Sequence, residues 1–177
     1  MRIIGGKHRG RVLKTFEGEA VRPTSDRARE ALFNVLQNEI FDSVFYDGFA
    51  GSGAVGLEAL SRGAKKVVLT DVSSESVKLT KANATLLKET PTIFNVDCVS
   101  FLSSTDEKFD IIFLDPPYKK DDGELALKII AERDILSKEG VAVLEKDREG
   151  EKISGLDKQK IKKYGKAFFT FYKKKNV

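Results

Sequence analysis

The tetrapeptide Asp115-Pro116-Pro117-Tyr118 combines residue types that could hold a planar amine. It directly follows the apolar run 109–114, and because proline has no N–H, a strand formed by that run must end at Pro116. The Asp115 carboxylate and the Pro116 carbonyl are hydrogen-bond acceptors, and the Tyr118 ring is a stacking surface. These groups suit a planar NH2-bearing partner such as a nucleobase. A proline-terminated surface turn with a capping aspartate is the alternative interpretation.

A glycine-rich stretch between a predicted strand and a predicted helix could hold a nucleotide-like cofactor. Gly51, Gly53 and Gly56 match the pattern G-x-G-x-x-G, in which small residues let the backbone approach a ligand closely. Asp71 ends the next strand about twenty residues on, where a carboxylate can bind two ribose hydroxyls. The pattern fits a nicotinamide dinucleotide or S-adenosylmethionine, since both contain adenosine. The lysine of a P-loop is missing, which excludes that type of phosphate site.

Four acidic residues distinguish between these two candidate cofactors. Asp47, Asp71, Asp97 and Asp115 end four successive predicted strands and therefore line one edge of the predicted sheet. Asp47 would repel a pyrophosphate but suits a methionine ammonium group, and Asp97 could accept a hydrogen bond from an adenine amino group. Four carboxylates favour a cationic cofactor, which is S-adenosylmethionine. The residues predicted to bind it are Asp47, Phe49, Ala50, Gly51, Gly53, Asp71, Asp97 and Cys98.

Cys98 follows Asp97 and could line the adenine pocket, although a buried, inert thiol is the alternative. With one cysteine and one histidine, the chain offers neither a disulfide framework nor a zinc-ligand cluster, so we expect no metal. No apolar run approaches the roughly 20 residues of a membrane span, and the N-terminus lacks a signal-peptide pattern. We therefore expect a cytoplasmic protein without a membrane partner.

Basic residues are concentrated towards both ends of the chain, although the net charge of +4 is modest. Those predicted to contact nucleic acid are Arg2, Lys7, His8, Arg9, Arg11, Arg22, Arg27 and Arg29. A second group is Lys158, Lys160, Lys162, Lys163, Lys166, Lys173, Lys174 and Lys175. The first group, rich in arginine and spaced by glycine, favours phosphate contacts. The second group fits phosphate binding or simple solubility equally well.

The apolar pattern predicts the elements that position these residues. Residues 1–15 indicate a small hairpin, and residues 25–38 an amphipathic helix. Strands are then predicted at 44–47, 66–71, 92–97, 109–114 and 140–145, and helices at 54–61, 74–87 and 123–133. Repeated β–α units predict a Rossmann-like α/β fold, with a mostly parallel seven-stranded sheet covered by helices on both faces. The segments 158–163 and 167–172 predict a closing antiparallel hairpin.

Several segments resemble the RsmD family of methyltransferases. Residues 1–11, 22–36 and 49–64 are similar to family segments, and Asp-Pro-Pro-Tyr at 115–118 is typical of methyltransferases that act on nucleobase amines. The resemblance runs from Met1 to about Leu144. It implies a class I S-adenosylmethionine-dependent enzyme that methylates the N2 of a guanine in bacterial 16S ribosomal RNA. Gly48 and Val96 depart from the family pattern, where a larger apolar residue and a glycine are expected.

The resemblance also implies roles for parts of the chain. Residues 1–40 would be an RNA-contacting hairpin and helix, and residues 41–177 the methyltransferase domain. The catalytic residues would be Asp115, Pro116, Pro117 and Tyr118. The partner would be 16S ribosomal RNA within an assembling small ribosomal subunit, and we expect a monomer.

Three other functions fit parts of the sequence. Asp-Pro-Pro-Tyr also suits adenine-N6 methyltransferases acting on DNA, although 177 residues leave little room for a separate target-recognition region. A non-catalytic RNA-binding protein on a methyltransferase fold would leave the four acids and the glycine loop unexplained. An NAD-dependent oxidoreductase would leave Asp47 and the Asp-Pro-Pro-Tyr motif unexplained.

Overall fold

The computed structural model describes residues 1–17, 23–117 and 120–176, without the side chains of residues 23–25. Two predicted site residues, Arg22 and Tyr118, lie outside the described residues. The strands are β1 Val44–Asp47, β2 Lys66–Thr70, β3 Thr92–Phe94, β4 Phe109–Leu114, β5 Leu136–Lys146, β6 Leu156–Tyr164 and β7 Ala167–Lys174. The helices are α1 Pro23–Val35, α2 Ala54–Ser61, α3 Ser74–Leu86, α4 Cys98–Ser104 and α5 Asp122–Glu132.

The seven strands form one sheet in the order β3-β2-β1-β4-β5-β7-β6. Strands β1 to β5 run parallel, and β7 enters antiparallel between β5 and β6. The predicted mostly parallel seven-stranded α/β fold is confirmed. The strand order reverses between β1 and β4, which makes their carboxyl ends the topological switch point, where open α/β sheets bind ligands. Asp47 ends β1 at this point, paired with Phe113 of β4.

Apolar side chains alternate between the two faces of the sheet and bury a core on each. On one face α1 and α2 pack over Phe45, Phe113, Phe169 and Phe171. On the other face α4 and α5 cover a second cluster that includes Tyr46 and Tyr172. The helices of the described ranges include none long and apolar enough to cross a membrane.

The predicted N-terminal hairpin is present but short. Arg2 and Val12 form an isolated antiparallel bridge, and the Ile3 amide donates to the Arg11 carbonyl at 2.9 Å. The buried side chains of Ile3 and Leu13 pack against α2 and α3 in a third apolar cluster. The hairpin is therefore held by its contacts with the helices as well as by its own backbone hydrogen bonds.

Helix α4 was not predicted, and the predicted strand 92–97 is too long. Strand β3 ends at Phe94, because it is an edge strand whose pairing with β2 stops at the Thr70–Phe94 pair. Asp97 is the N-cap of α4, and its carboxylate accepts a hydrogen bond from the Ser100 amide at 2.9 Å. This cap and the apolar spacing of Cys98 and Leu102 were the available sequence signal.

Candidate active site

A cavity of about 560 Å³ opens at the carboxyl ends of the central strands, within the range of about 300–1,000 Å³ typical of small-molecule sites. The predicted site residues in its wall are Phe49, Gly51, Asp71, Asp97, Cys98, Asp115, Pro116 and Pro117. The wall also contains residues that the sequence analysis did not single out as ligand contacts, namely Gly48, Val72, Val99, Lys120 and Asp122. Most of these neighbour a predicted residue in the chain, which was the available signal. The predicted cofactor-site and catalytic segments therefore converge on one cavity.

The glycine loop is shaped by Asp71. One oxygen of this carboxylate accepts from the Gly51 amide and the other from the Ser73 amide, each at 2.9 Å. Gly51 and Gly53 both have positive φ, at 57° and 85°. A Cβ atom at Gly51 would have no neighbour within 4 Å, so this position needs glycine for its backbone conformation and not for space. Ala50 and Gly53, which the sequence also predicts to bind the cofactor, do not line the cavity; the Gly53 amide donates to the Ala50 carbonyl at 2.8 Å.

Asp47 lies beneath the loop and outside the cavity wall. Its side chain is buried and accepts a hydrogen bond from the Phe49 amide at 3.1 Å. Burial raises the pKa of Asp47 to about 8; the Phe49 amide opposes this rise, while the charges of Asp115 and Asp71 add to it. Such a carboxyl group ionises readily only beside a cation. The acidic wall around it, with Lys120 as the basic residue, therefore fits a cationic ligand better than a pyrophosphate.

Asp97 and Cys98 form the start of α4 at the cavity wall. Hydrogen bonds from the Ser100 hydroxyl and amide lower the pKa of Asp97. Burial raises the pKa of the Cys98 thiol to about 12, so it is protonated and inert at neutral pH. A Cβ atom at Gly48 would lie 2.6 Å from the Cys98 sulfur. The sulfur thus fills the space of the larger residue expected at position 48, which explains that departure from the family pattern.

The turn after β4 presents Asp115 at the mouth of the cavity. Asp115 is exposed, whereas Pro116 is buried against the first turn of α5. A Cβ atom at Gly123 would lie 3.1 Å from Pro116, so glycine permits this close packing. The Lys120 amide donates to the Pro117 carbonyl at 3.1 Å. Pro116 is therefore held by its packing, directly after Asp115, at the switch point of the sheet.

A buried ion pair lies beside the turn that follows β4. Lys146, the last residue of β5, pairs with Glu124 in the first turn of α5, and both side chains are buried. Lys146 is level with Pro116, two residues beyond the Leu114–Leu144 pair. Among the described side chains, the second oxygen of Glu124 is a buried polar atom without a hydrogen-bond partner. The pair ties the start of α5 to the end of β5.

The residues predicted to contact nucleic acid differ in exposure: most have exposed side chains, whereas Arg29 is buried. Of the residues predicted to contact nucleic acid, those with exposed side chains in the described part of the N-terminal region are Arg2, Lys7, Arg9, Arg11 and Arg27. Lys7 and the half-buried His8 both contact Glu89, at 2.7 and 2.8 Å. Arg29 is 4% exposed, so it lies inside the protein and not on a surface that could contact phosphates.

Arg29 belongs to a buried network centred on Glu58 of α2. The Glu58 carboxylate accepts from Arg29 at 3.2 Å and from Arg62 at 2.8 Å. It also accepts from the backbone amides of Ile4 and Gly5, both at 2.9 Å. Glu58 is fully buried, so these four donors replace the water that the carboxylate has lost. The network joins α1, α2 and the N-terminal hairpin.

Comparisons with known proteins agree with this architecture. Residues 1–173 match the family described as Conserved hypothetical protein 95. The chain is 38% identical over 154 residues to Ribosomal RNA small subunit methyltransferase D of Haemophilus influenzae, covering 84% of this chain and 80% of that protein. It is 34% identical to YlbH of Bacillus subtilis, covering 99% and 100% of the two chains. The solved structure of yhhF from Escherichia coli matches with a TM-score of 0.89 at 32% identity, covering 100% of this chain and 99% of that one.

Proposed function

Since the chain belongs to the Conserved hypothetical protein 95 family, which is the RsmD family of S-adenosylmethionine-dependent methyltransferases, we propose that it methylates small-subunit ribosomal RNA. The target that we propose is the exocyclic N2 amine of a guanine. One observation carries the proposal: Asp115 and Pro116 lie at the mouth of an acidic cavity suited to a cationic cofactor. The pair offers two acceptors beside the point where a methyl group would be delivered.

The residues of the cavity fit S-adenosylmethionine. Asp71 would accept from the ribose hydroxyls, and Asp97 from the adenine amine. Val72, whose side chain is 75% exposed in the cavity wall, offers an apolar surface for the adenine ring. Asp47 would balance the positive charge of the methionine portion. When bound, the cofactor supplies an electrophilic methyl group.

The residues at the mouth would act on the amine. An exocyclic guanine amine is a poor nucleophile, because its lone pair is delocalised into the ring. The Asp115 carboxylate and the Pro116 carbonyl would each accept one of its N–H groups and hold the nitrogen lone pair toward the methyl donor. The nitrogen would form its bond to the methyl carbon as that carbon leaves sulfur, and one N–H proton would pass to the Asp115 carboxylate or to water. Catalysis would then come from positioning and electrostatics.

The N-terminal region would hold the RNA. The base must be unpaired or flipped out to enter the cavity, and Tyr118 would stack on it. The exposed residues Arg2, Arg9 and Arg27 would contact phosphates around the target. We therefore assign RNA contact to residues 1–40, although Arg29 serves there as an internal support, and methyl transfer to residues 41–177. The proposed substrate is RNA in an assembling small subunit in the cytoplasm, bound by a monomer.

Tritiated methyl transfer from S-adenosylmethionine tests this proposal. The substrates are free 16S ribosomal RNA, small-subunit particles that lack the modification, and duplex DNA, each followed by digestion to nucleosides. We expect N2-methylguanosine from a ribosomal substrate, and the more active of the two will show when in assembly the enzyme acts. N6-methyladenine from DNA would replace the substrate but keep the chemistry. Cofactor binding without transfer to any substrate would indicate a binding protein.

A further inference from the structure

The edge strand β6 carries a cluster of lysines at its carboxyl end. We call Lys160, Lys162, Lys163 and Lys166 the basic tip; all four side chains are exposed. Two other lysines of the hairpin are neutralised, Lys158 by Glu149 and Lys174 by Asp134. Within the described part of the chain, none of the four tip lysines forms an ion pair. The tip is therefore a patch of uncompensated positive charge.

The strand register places this patch on the catalytic edge of the sheet. β6 runs parallel to β4, because both β5 and β6 pair antiparallel with β7. Lys146 of β5 pairs with Phe168, and Phe168 pairs with Lys163. Lys163 is thus level with Pro116, and the turn containing Lys166 extends beyond it. Three strand spacings of about 4.8 Å separate β4 from β6, so the tip lies on the order of 14 Å from the catalytic turn.

The tip also has the contacts of a nucleic-acid surface. The amino groups of Lys160 and Lys163 lie over the rings of Phe171 and Phe168, at 5.7 and 5.1 Å from the ring centroids. These contacts hold two lysine side chains while their charge stays exposed. Tyr164, 36% exposed, ends the strand and adds an aromatic ring beside them. Basic side chains interleaved with an aromatic ring suit a nucleic-acid backbone and an unpaired base.

The tip adjoins the N-terminal surface. Cross-strand partners point to the same face, so Lys162, which pairs with Phe169, lies on the face covered by α1. Helix α1 packs against β6 and carries the exposed Arg27. Glu145 also pairs with Phe169 and adds one acid to this face, where Lys160, the partner of Phe171, adds a second lysine. Lys163, the partner of Phe168, lies on the other face of the sheet.

We propose that the basic tip binds phosphates of the RNA strand that flanks the target base, beside the contacts made by the N-terminal region. This inference rests on the proposed function, since it supplies that site with a second RNA-binding surface. Lysines on an edge strand also prevent pairing with other sheets. That role does not account for Lys166, which lies in the turn before β7, or for the gathering of free lysines at the catalytic end.

A matched pair of triple variants tests the proposal. The tip variant is Lys162→Gln, Lys163→Gln and Lys166→Gln. The control, Lys65→Gln, Lys128→Gln and Lys138→Gln, removes the same charge from exposed positions away from the catalytic edge. The Kd for 16S ribosomal RNA is measured between 50 and 200 mM salt, together with methyl transfer and S-adenosylmethionine affinity. We expect the tip variant to bind RNA roughly tenfold more weakly, with a slope of log K against log salt smaller by about two.

The outcomes separate this inference from the proposed function. The control should keep the RNA affinity of the unaltered protein, and both variants should keep its cofactor affinity and its rate at saturating RNA. Equal RNA affinity of the two variants, with methylation intact, would overturn the inference alone. Self-association of the tip variant with unchanged RNA binding would assign the lysines to edge protection and also overturn it. Absence of RNA methylation by the unaltered protein would instead overturn the proposed function.

Discussion

Burial makes the Asp47 carboxyl group a much weaker acid than a solvated one, with a pKa raised from 3.8 to about 8. Between these values the unfolded chain is ionised at this residue while the folded protein holds the proton. The free energy of unfolding should therefore fall as pH rises from about 4 to 8, by up to ~1.4 kcal/mol per pH unit from this group. A cationic cofactor favours the ionised form, so its binding should release this proton and tighten towards pH 8.

We predict that Asp47→Asn raises the stability of the cofactor-free protein at pH 8 and flattens this pH dependence, because the amide has no proton to lose. Urea unfolding between pH 5 and 8 measures the free energy of unfolding and its dependence on pH. The exposed Asp106 offers the matched control, Asp106→Asn, which should leave the slope unchanged. The same Asp47 variant should bind S-adenosylmethionine more weakly. Parallel stability curves for the variant and the unaltered protein would show that Asp47 is ionised in the fold.

Asp115 has a different role, because it lies at the mouth of the cavity and not beneath it. We predict that Asp115→Ala lowers methyl transfer by at least about 10²-fold, since one of two acceptors for the amine is lost. Cofactor affinity, measured by calorimetry, should change little. Asp122→Asn is the control, because Asp122 lines the same cavity. Turnover that survives the loss of Asp115 would remove this residue from the catalytic role.

The Cys98 sulfur occupies the space next to Gly48, so the effects of substituting these two residues on stability should be coupled. Gly48→Ala places a methyl group 2.6 Å from the Cys98 sulfur, and such overpacking costs about 1–3 kcal/mol. We predict that Cys98→Ala relieves much of this cost, because the remaining Cys98 Cβ is 3.4 Å away. A double-mutant cycle by urea unfolding should give a coupling energy of about 1 kcal/mol or more. Additive effects would show that Leu114, at 3.1 Å, is the obstacle.

At the scale of elements, the Glu58 network determines how the N-terminal hairpin is attached. Glu58→Gln would remove the buried counter-charge shared by Arg29 and Arg62, and would leave Arg29 with the partly exposed Asp26 at 3.2 Å. We predict a loss of about 3–5 kcal/mol in the free energy of unfolding, and faster hydrogen exchange at the Ile4 amide. These are measured by urea unfolding and by exchange mass spectrometry.

The control for this prediction is the exposed ion pair between Glu107 and Lys66. Glu107→Gln removes a charge from a solvated pair and should cost no more than about 1 kcal/mol. If the two variants lose similar stability, the hairpin is held by its other contacts, which are the apolar packing of Ile3 and Leu13 and the hydrogen bonds to Ser61 and Asn83. RNA affinity should fall with Glu58→Gln only, because the exposed arginines of the hairpin would lose their fixed position.

At the scale of the whole molecule, the features that could be predicted from the sequence are those that local patterns determine. Alternating strands and helices with short connections allow few topologies, and the carboxyl ends of parallel strands must share an edge. Three of the four acids therefore lie at strand ends, as the pattern predicted, while Asp97 lies at a helix cap and lines the cavity together with Asp71 and Asp115. Long-range pairing was not predictable. Nothing near Arg29 in the chain indicates that its partner is Glu58, 29 residues away, and this pairing takes the guanidinium out of solvent.

The position of β7 has a consequence for the synthesis of the chain. β7 follows β6 in sequence but lies between β5 and β6, so β6 is made before the strand that joins it to the sheet. Until residues 167–174 arrive, β5 has an open hydrogen-bonding edge, and the core lacks Phe169, Phe171 and Tyr172. An open apolar edge is a template for aggregation. A product truncated within β7 would consequently tend to misfold and aggregate, and would not behave as a slightly shorter enzyme.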